Sequence, residues 1–232
     1  MSIHRHSIGT EKESSLHRKL KLQYTGYGGR IEARTGDFVA DGISETGEII
    51  EVQTGSFGPL KAKVEDFIAR GKVRIIYPVA IVKYIEVFDK DKKSLVYRRK
   101  SPLKGSPWNL FDALLYAPEL PLLRGVSIEI ALVNIAEKRS QDGRGSWRRK
   151  GVSIFDRDLE TWHESIRLEK KADYLRFVPF KKNELFTSSQ LAERAGINTA
   201  LAGKTLYVLT KLAIVKRTGK KGNSWLYKVT KK

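Results

Sequence analysis

The stretch that decides the fold is Val39-Ala40-Asp41-Gly42-Ile43-Ser44-Glu45-Thr46-Gly47-Glu48-Ile49-Ile50-Glu51-Val52-Gln53-Thr54. Its halves, Asp37 to Ser44 and Glu48 to Thr54, read as strands, and Glu45-Thr46-Gly47 supplies the turn between them. Nine residues separate Asp41 from Glu51, enough for a tight hairpin to set the two carboxylates side by side. Glu51 and Gln53 are two apart, so on a strand they share a face while Val52 points away. Close carboxylates repel each other unless a cation lies between them, and hard oxygen ligands select Mg²⁺ or Mn²⁺. Glu51 follows Ile49-Ile50 in an apolar run, where an unpaired carboxylate is costly to bury. Asp41 before Gly42 also fits ordinary turn chemistry. Asp37 rivals it as the carboxylate beside Glu51, although its place just after Gly36 suits the start of a strand.

Outward from this hairpin the period changes. On the N-terminal side, residues 10 to 24 read as a helix with Thr10 as cap, Glu13 at the capping-box position, and Leu16, Leu20 and Tyr24 on one face. Arg30 to Arg34 reads as a first strand. On the C-terminal side a helix from Pro59 to Arg70 buries Leu60, Val64, Phe67 and Ile68, with Lys61 and Lys63 flanking that stripe. Gly71 ends it, and Val73 to Tyr77 is a buried strand. The order is therefore helix, three strands, helix, strand.

Further strands are predicted at Val79 to Phe88 and Ser94 to Arg99 around the turn Asp89-Lys90-Asp91. A short helix follows at Trp108 to Tyr116, and then a β-branched strand at Val126 to Ala136. Ser140 to Lys150 is polar, glycine-containing and basic, hence a loop leading into Gly151 to Phe155. Residues 156 to 180 carry no pattern that assigns them. From about Lys181 a compact unit begins: helices at Ser188 to Ala195 and Thr199 to Leu212, then strands at Ile214 to Arg217 and Trp225 to Val229 around the loop 218 to 223.

The hairpin VADGISETGEIIEVQT, in that order of elements, resembles the core of the PD-(D/E)XK, or restriction-endonuclease-like, nuclease superfamily. The resemblance implies an α/β fold with a mixed sheet flanked by helices over residues 1 to 180. It also implies a site in which Asp41 and Glu51 hold Mg²⁺ or Mn²⁺, Gln53 takes the third motif position, and Glu13 supports from the first helix. Gln53 departs from the motif, because lysine there would bring positive charge to the attacking hydroxide whereas glutamine only orients by hydrogen bonds. Lys61 or Lys63 could swing a compensating charge toward the site. Glu13 serves equally well as the N3 partner of Thr10.

The segment FTSSQLAERAGINTALAGKTLYVLTKLAIVKRTGKKGNSWLYKV resembles a winged helix-turn-helix, implying a small DNA-binding domain over 181 to 232. Ala192 and Gly196 are small where two helices cross through a tight turn. On that resemblance the second helix enters the major groove and the wing touches phosphates. The contact candidates are Asn198, Thr199, Lys204 and Lys211 on or near the helix, and Lys216, Arg217, Lys220 and Lys221 in the wing. Thr199, Ala200 and Ala202 offer little for bidentate base recognition, so weakly specific binding is expected. Winged helices also serve as protein-interaction modules. Arg148 and Arg149, beside Trp147, suit a strand of nucleic acid or a solvated loop equally.

Charge points the same way. The 232 residues carry a formal net charge of +18 with pI near 10.0, which makes a polyanion the natural partner. Residues 184 to 232 hold ten Lys or Arg against Glu184 and Glu193, so the excess extends well beyond this unit. Zero cysteines exclude disulfides and thiolate zinc sites, and His4, His6, His17 and His163 form no ligand cluster by spacing. The N-terminus lacks the apolar stretch of a secretory signal, and no run approaches a membrane span, so a cytoplasmic location is expected. The expectation is thus a divalent-metal-dependent endonuclease acting on double-stranded DNA, as a homodimer or within a larger defence or repair assembly. Its rival is a non-catalytic DNA-binding or regulatory protein that keeps a degenerate nuclease fold.

Overall fold

The computed structural model describes residues 13 to 230. Its centre is a seven-stranded mixed sheet in the order β1-β2-β3-β4-β6-β7, with β5 paired to the far end of β4. The strands are β1 (Arg30–Thr35), β2 (Phe38–Ile43), β3 (Ile49–Val52), β4 (Val73–Phe88), β5 (Leu95–Lys100), β6 (Val126–Ser140) and β7 (Ser153–Leu168). β1, β2 and β3 form an antiparallel meander, β3, β4 and β6 run parallel, and β7 returns antiparallel along β6. The β2–β3 turn closes as the sequence predicts: Gly47, at φ 81°, donates its N–H to the Ser44 carbonyl at 2.9 Å.

A helix covers each face. α1 (Ser15–Thr25) sets Leu16 and Leu20 against Ile50, Val52, Ile76, Ala131 and Val133. α2 (Lys61–Ile68) buries Val64 and Phe67 in a larger cluster with Ile49, Val73, Ile75, Ile128 and Ile130. Ile49 thus faces α2 while Ile50 and Val52 face α1, and the period-two alternation turns Glu51 toward α2. That is how a carboxylate comes to lie inside an otherwise apolar strand.

Several predicted boundaries are corrected. α1 starts at Ser15, with the Ser14 hydroxyl accepting the His17 N–H at 3.3 Å, so Glu13 precedes the helix; Thr10 lies outside the described residues. The two strands predicted at 73 to 77 and 79 to 88 are one 16-residue strand running through Pro78. On the β3 side, Ile76 accepts from Gln53 and Ala80 from Gly105, so Pro78 falls between two pairings, where no N–H is needed. β7 spans Ser153–Leu168, far beyond Phe155, and a 3₁₀ helix at Lys171–Phe177 fills the segment that sequence left unassigned.

The C-terminal residues build α4 (Ser188–Ala195), α5 (Thr199–Lys211) and a two-stranded sheet of β8 (Val215–Lys221) and β9 (Ser224–Val229). The loop expected at 218 to 223 shortens to a turn around Gly222, at φ 58°. Capping explains why the helices break where they do. Thr187 and Gln190 form a capping box, Gly196 closes α4 in the left-handed region, and Asn198 Oδ1 takes the Leu201 N–H at 2.8 Å. The core of these helices, including Leu191, Leu206 and Leu209, is continuous with the α2 cluster through α3 (Leu110–Leu114). Among the described residues no helix is long and apolar enough to cross a membrane.

Candidate active site at the open end of the hairpin

The β2–β3 ladder holds Gly42 against Ile50 and Ile43 against Ile49, and then stops. At the next position Asp41 replaces a backbone acceptor with its side chain: Oδ2 takes the Val52 N–H at 2.8 Å. The same oxygen lies 3.0 Å from His17 Nε2 on α1. A Cβ on Gly42 would overlap Thr25 Oγ1, so only glycine lets the end of α1 close over the hairpin at this point.

Glu51 stands on the neighbouring strand with a residue exposure of 5%. Its Oε1 accepts from Lys63 Nζ on α2 at 2.6 Å, and its Oε2 is buried without a hydrogen-bond partner. Burial, then the Asp41 charge, push the Glu51 carboxyl up to about 7, with Lys63 offsetting part of the rise. Burial pushes Asp41 up as well. His17, the Val52 N–H and Lys63 outweigh that, and hold Asp41 below the usual carboxylate range. The two carboxylates therefore differ in proton affinity, Asp41 being the firmly ionised one.

A second layer surrounds this pair. Glu13 Oε1 lies 2.8 Å from Lys21 Nζ and 3.9 Å from His17 Nε2, and Lys21 also reaches Glu32 at 2.9 Å. Burial lowers the His17 pKa, but the hydrogen bond and charge of Asp41, with the charge of Glu13, raise it overall. Four carboxylates, Glu13, Glu32, Asp41 and Glu51, thus face three basic groups, His17, Lys21 and Lys63.

Of the residues singled out from sequence, Asp41, Glu51 and Lys63 come together, and Glu13 sits one shell out. Gln53 turns into its own loop, where Nε2 donates to the Ser56 carbonyl at 2.5 Å. Lys61 is exposed and makes no ion pair among the described residues. His17 and Lys21 were not legible as site residues. Their partners lie on other elements, and the only local sign is that they follow Glu13 at helical spacings of four and eight.

The candidate nucleic-acid contacts lie elsewhere. Thr199, Lys211, Lys216, Arg217, Lys220 and Lys221 are exposed. Arg217 and Lys220 lie over the Trp225 ring at 4.8 and 4.7 Å. Lys204 is held by Asp112 of α3 at 2.6 Å, and Asn198 is occupied as the α5 cap. Trp147 is 83% exposed, with the Arg148 guanidinium 5.6 Å from its ring, and Arg149 donates to the Val152 carbonyl at 3.2 Å.

A hard divalent cation fits the donor set. The two carboxylates bring hard oxygen donors, and Glu51 Oε2 is unsatisfied. Among the described residues no group of three or more His, Asp or Glu side chains is placed to hold a metal. Asp41 and Glu51 would be the protein ligands, with water completing the shell, as is usual for Mg²⁺.

Comparison with known proteins gives a family without an activity. A family model described as Domain of unknown function (DUF8091) matches residues 14–169, from the cap of α1 to the end of β7. An uncharacterized protein of Treponema pallidum (strain Nichols) is 28% identical over 223 residues, covering 96% of this chain and 87% of its own length. No solved structure matches the chain.

Proposed function

The chain belongs to the DUF8091 family, and we propose that it is a divalent-metal-dependent nuclease of restriction-endonuclease-like fold that hydrolyses double-stranded DNA. One observation carries the reading: Asp41 and Glu51 stand beside each other on adjacent strands, Glu51 keeps one buried oxygen without a partner, and Lys63 stands at its other oxygen. Bound Mg²⁺ or Mn²⁺ would lower the pKa of a water and neutralise charge on the scissile phosphate. Asp41, fixed by Val52 and His17, holds its carboxylate in one orientation. Lys63, beside Glu51, would supply from the neighbouring helix the positive charge that Gln53 lacks.

The C-terminal unit delivers this site to DNA. Support comes from the paired helices turning at Gly196, the following hairpin, and the row of exposed cations on β8. Phosphate contacts of this kind give affinity without base readout.

A second reading has one observation in its favour. Gln53 is turned away into its loop, and Lys63 already neutralises Glu51, which suits a DNA-binding protein that has lost catalysis. Calorimetric titration with Mn²⁺ separates the two. Binding that Asp41→Ala and Glu51→Ala each abolish supports the nuclease, and absence of binding by the unaltered chain favours the second reading.

A further inference from the structure

A second concentration of charge lies away from Asp41, around Glu137 of β6, which is 3% exposed. Its Oε1 accepts from Arg139 at 2.9 and 2.6 Å, its Oε2 accepts from Arg157 Nε at 3.2 Å, and Lys83 Nζ is 3.8 Å from Oε2. Burial pushes the Glu137 carboxyl up, yet these three cations hold it below the usual carboxylate range. It is therefore ionised and still leaves two positive charges unbalanced. Asp156 and Asp158 do not supply the difference. They flank Arg157 on β7, so they point to the opposite face, where they hold Ser15, Lys19 and Lys138.

This charge borders a cleft of about 490 Å³, lined by Lys83, Lys104, Glu137 and Arg157 and reaching Asn198 at the start of α5, with Val79 and Ile135 among its apolar walls. The cleft exists because β4 runs past its partners. β3 ends opposite Ile76, and β5 pairs only from Tyr84. Between them the β4 edge is met by Gly105, which donates to Ala80 at 2.8 Å, and Ser101, which donates to Lys83 at 2.7 Å. Lys104, on that crossing segment, is exposed and forms no ion pair among the described residues. It brings the excess on the cleft and its margin to three.

We propose that this cleft binds a nucleotide unit, its phosphate held by Lys83, Lys104 and Arg157 and its base lying along the apolar wall. Lysine and arginine are the side chains that hold phosphate, and the volume lies within the range of ligand pockets, roughly 300–1,000 Å³. The nucleotide comes either free or as part of a nucleic-acid strand passing between the sheet and α5. The inference does not rest on cleavage at Asp41 and Glu51.

Fluorescence titration of the full chain in EDTA tests it with two probes, AMP and a short single-stranded DNA oligonucleotide. Lys104→Glu, on an exposed side chain, and Lys83→Ala are compared with Lys220→Ala in the wing. Each cleft variant is expected to weaken the bound probe by about tenfold or more. AMP binding that depends on Lys104 and Lys83 but not on Lys220 identifies a free nucleotide. Dependence confined to the oligonucleotide identifies a strand. Binding of neither probe, or binding that both cleft variants leave unchanged, overturns the proposal. Because no metal is present, that outcome is distinguishable from failure of the nuclease reading.

Discussion

Lys63 Nζ on α2 lies 2.6 Å from Glu51 Oε1 on β3, so the crossover helix brings to the site a cation that the strand lacks at Gln53. Replacing it with alanine removes the positive charge that offsets the rise of Glu51, and the carboxyl moves further above about 7. Cleavage by Lys63→Ala is expected to fall by about 10²-fold, the scale for one electrostatic group in a site. The inflection of its pH–rate profile should move to higher pH. Rates across pH 6 to 9 provide the check, and an unchanged profile would remove Lys63 from the machinery.

Glu51 also sets a pH dependence of stability. Its carboxyl titrates near 7 in the folded chain, above the ordinary glutamate value of 4.5. The folded state therefore binds more protons between those values. The stability this provides is fully present below about pH 4.5 and is lost as pH rises through about 7. Glu51→Gln removes that loss, worth a few kcal/mol in order of magnitude. Urea unfolding at pH 5 and pH 8 should show a smaller difference for the variant than for the parent.

Asp41 has the opposite structural role. Its Oδ2 is the acceptor for the Val52 N–H and the partner of His17. Asp41→Ala leaves the backbone donor of buried Val52 unsatisfied and is expected to cost about 1–3 kcal/mol. Asp41→Asn keeps an acceptor oxygen and should recover much of that while still abolishing metal affinity. Thermal unfolding measured beside Mn²⁺ titration distinguishes the two effects.

Gly42→Ala tests the closure of α1 on the hairpin. The added methyl meets Thr25 Oγ1, whose residue is 2% exposed and has little room to yield. Destabilisation of about 3 kcal/mol, the upper end for overpacking, is expected. Gly55→Ala, where a Cβ meets nothing within 4 Å, is the control.

The parts of the fold that sequence makes legible are those where pattern and punctuation agree. The β2–β3 hairpin has a glycine turn between apolar strands, and the turn Gly196-Ile197-Asn198 separates α4 from α5. β7 was not legible, because SIFDRDLETWHESIRL is an edge strand, exposed or half-exposed along nearly all its length, whose charges face solvent or ion-pair partners rather than a core. β4 reads as two strands parted at Pro78, since proline is an interruption unless the neighbouring strand is known to have ended. In the site, Asp41 and Glu51 could be paired from strand spacing, and Lys61 or Lys63 could be placed beside the α2 stripe, Lys63 being the one that reaches Glu51. His17 could not, because its link to Asp41 spans 24 residues of sequence and depends on how α1 crosses the sheet.

The β8–β9 hairpin makes an electrostatic prediction. If Lys216, Lys220 and Lys221 each neutralise a phosphate, replacing them with alanine lowers the slope of log affinity against log salt by about 0.9 per contact. Anisotropy titrations of a DNA duplex from 50 to 200 mM salt measure it, and an unchanged slope would assign these lysines to solvent.

The most direct test of the account is cleavage itself. Supercoiled and linear DNA are incubated with the full chain and Mg²⁺ or Mn²⁺, beside Glu51→Ala. The account predicts metal-dependent cutting by the parent chain and none by the variant. Cutting that Glu51→Ala leaves intact, or no cutting of any DNA by the parent chain, would contradict it.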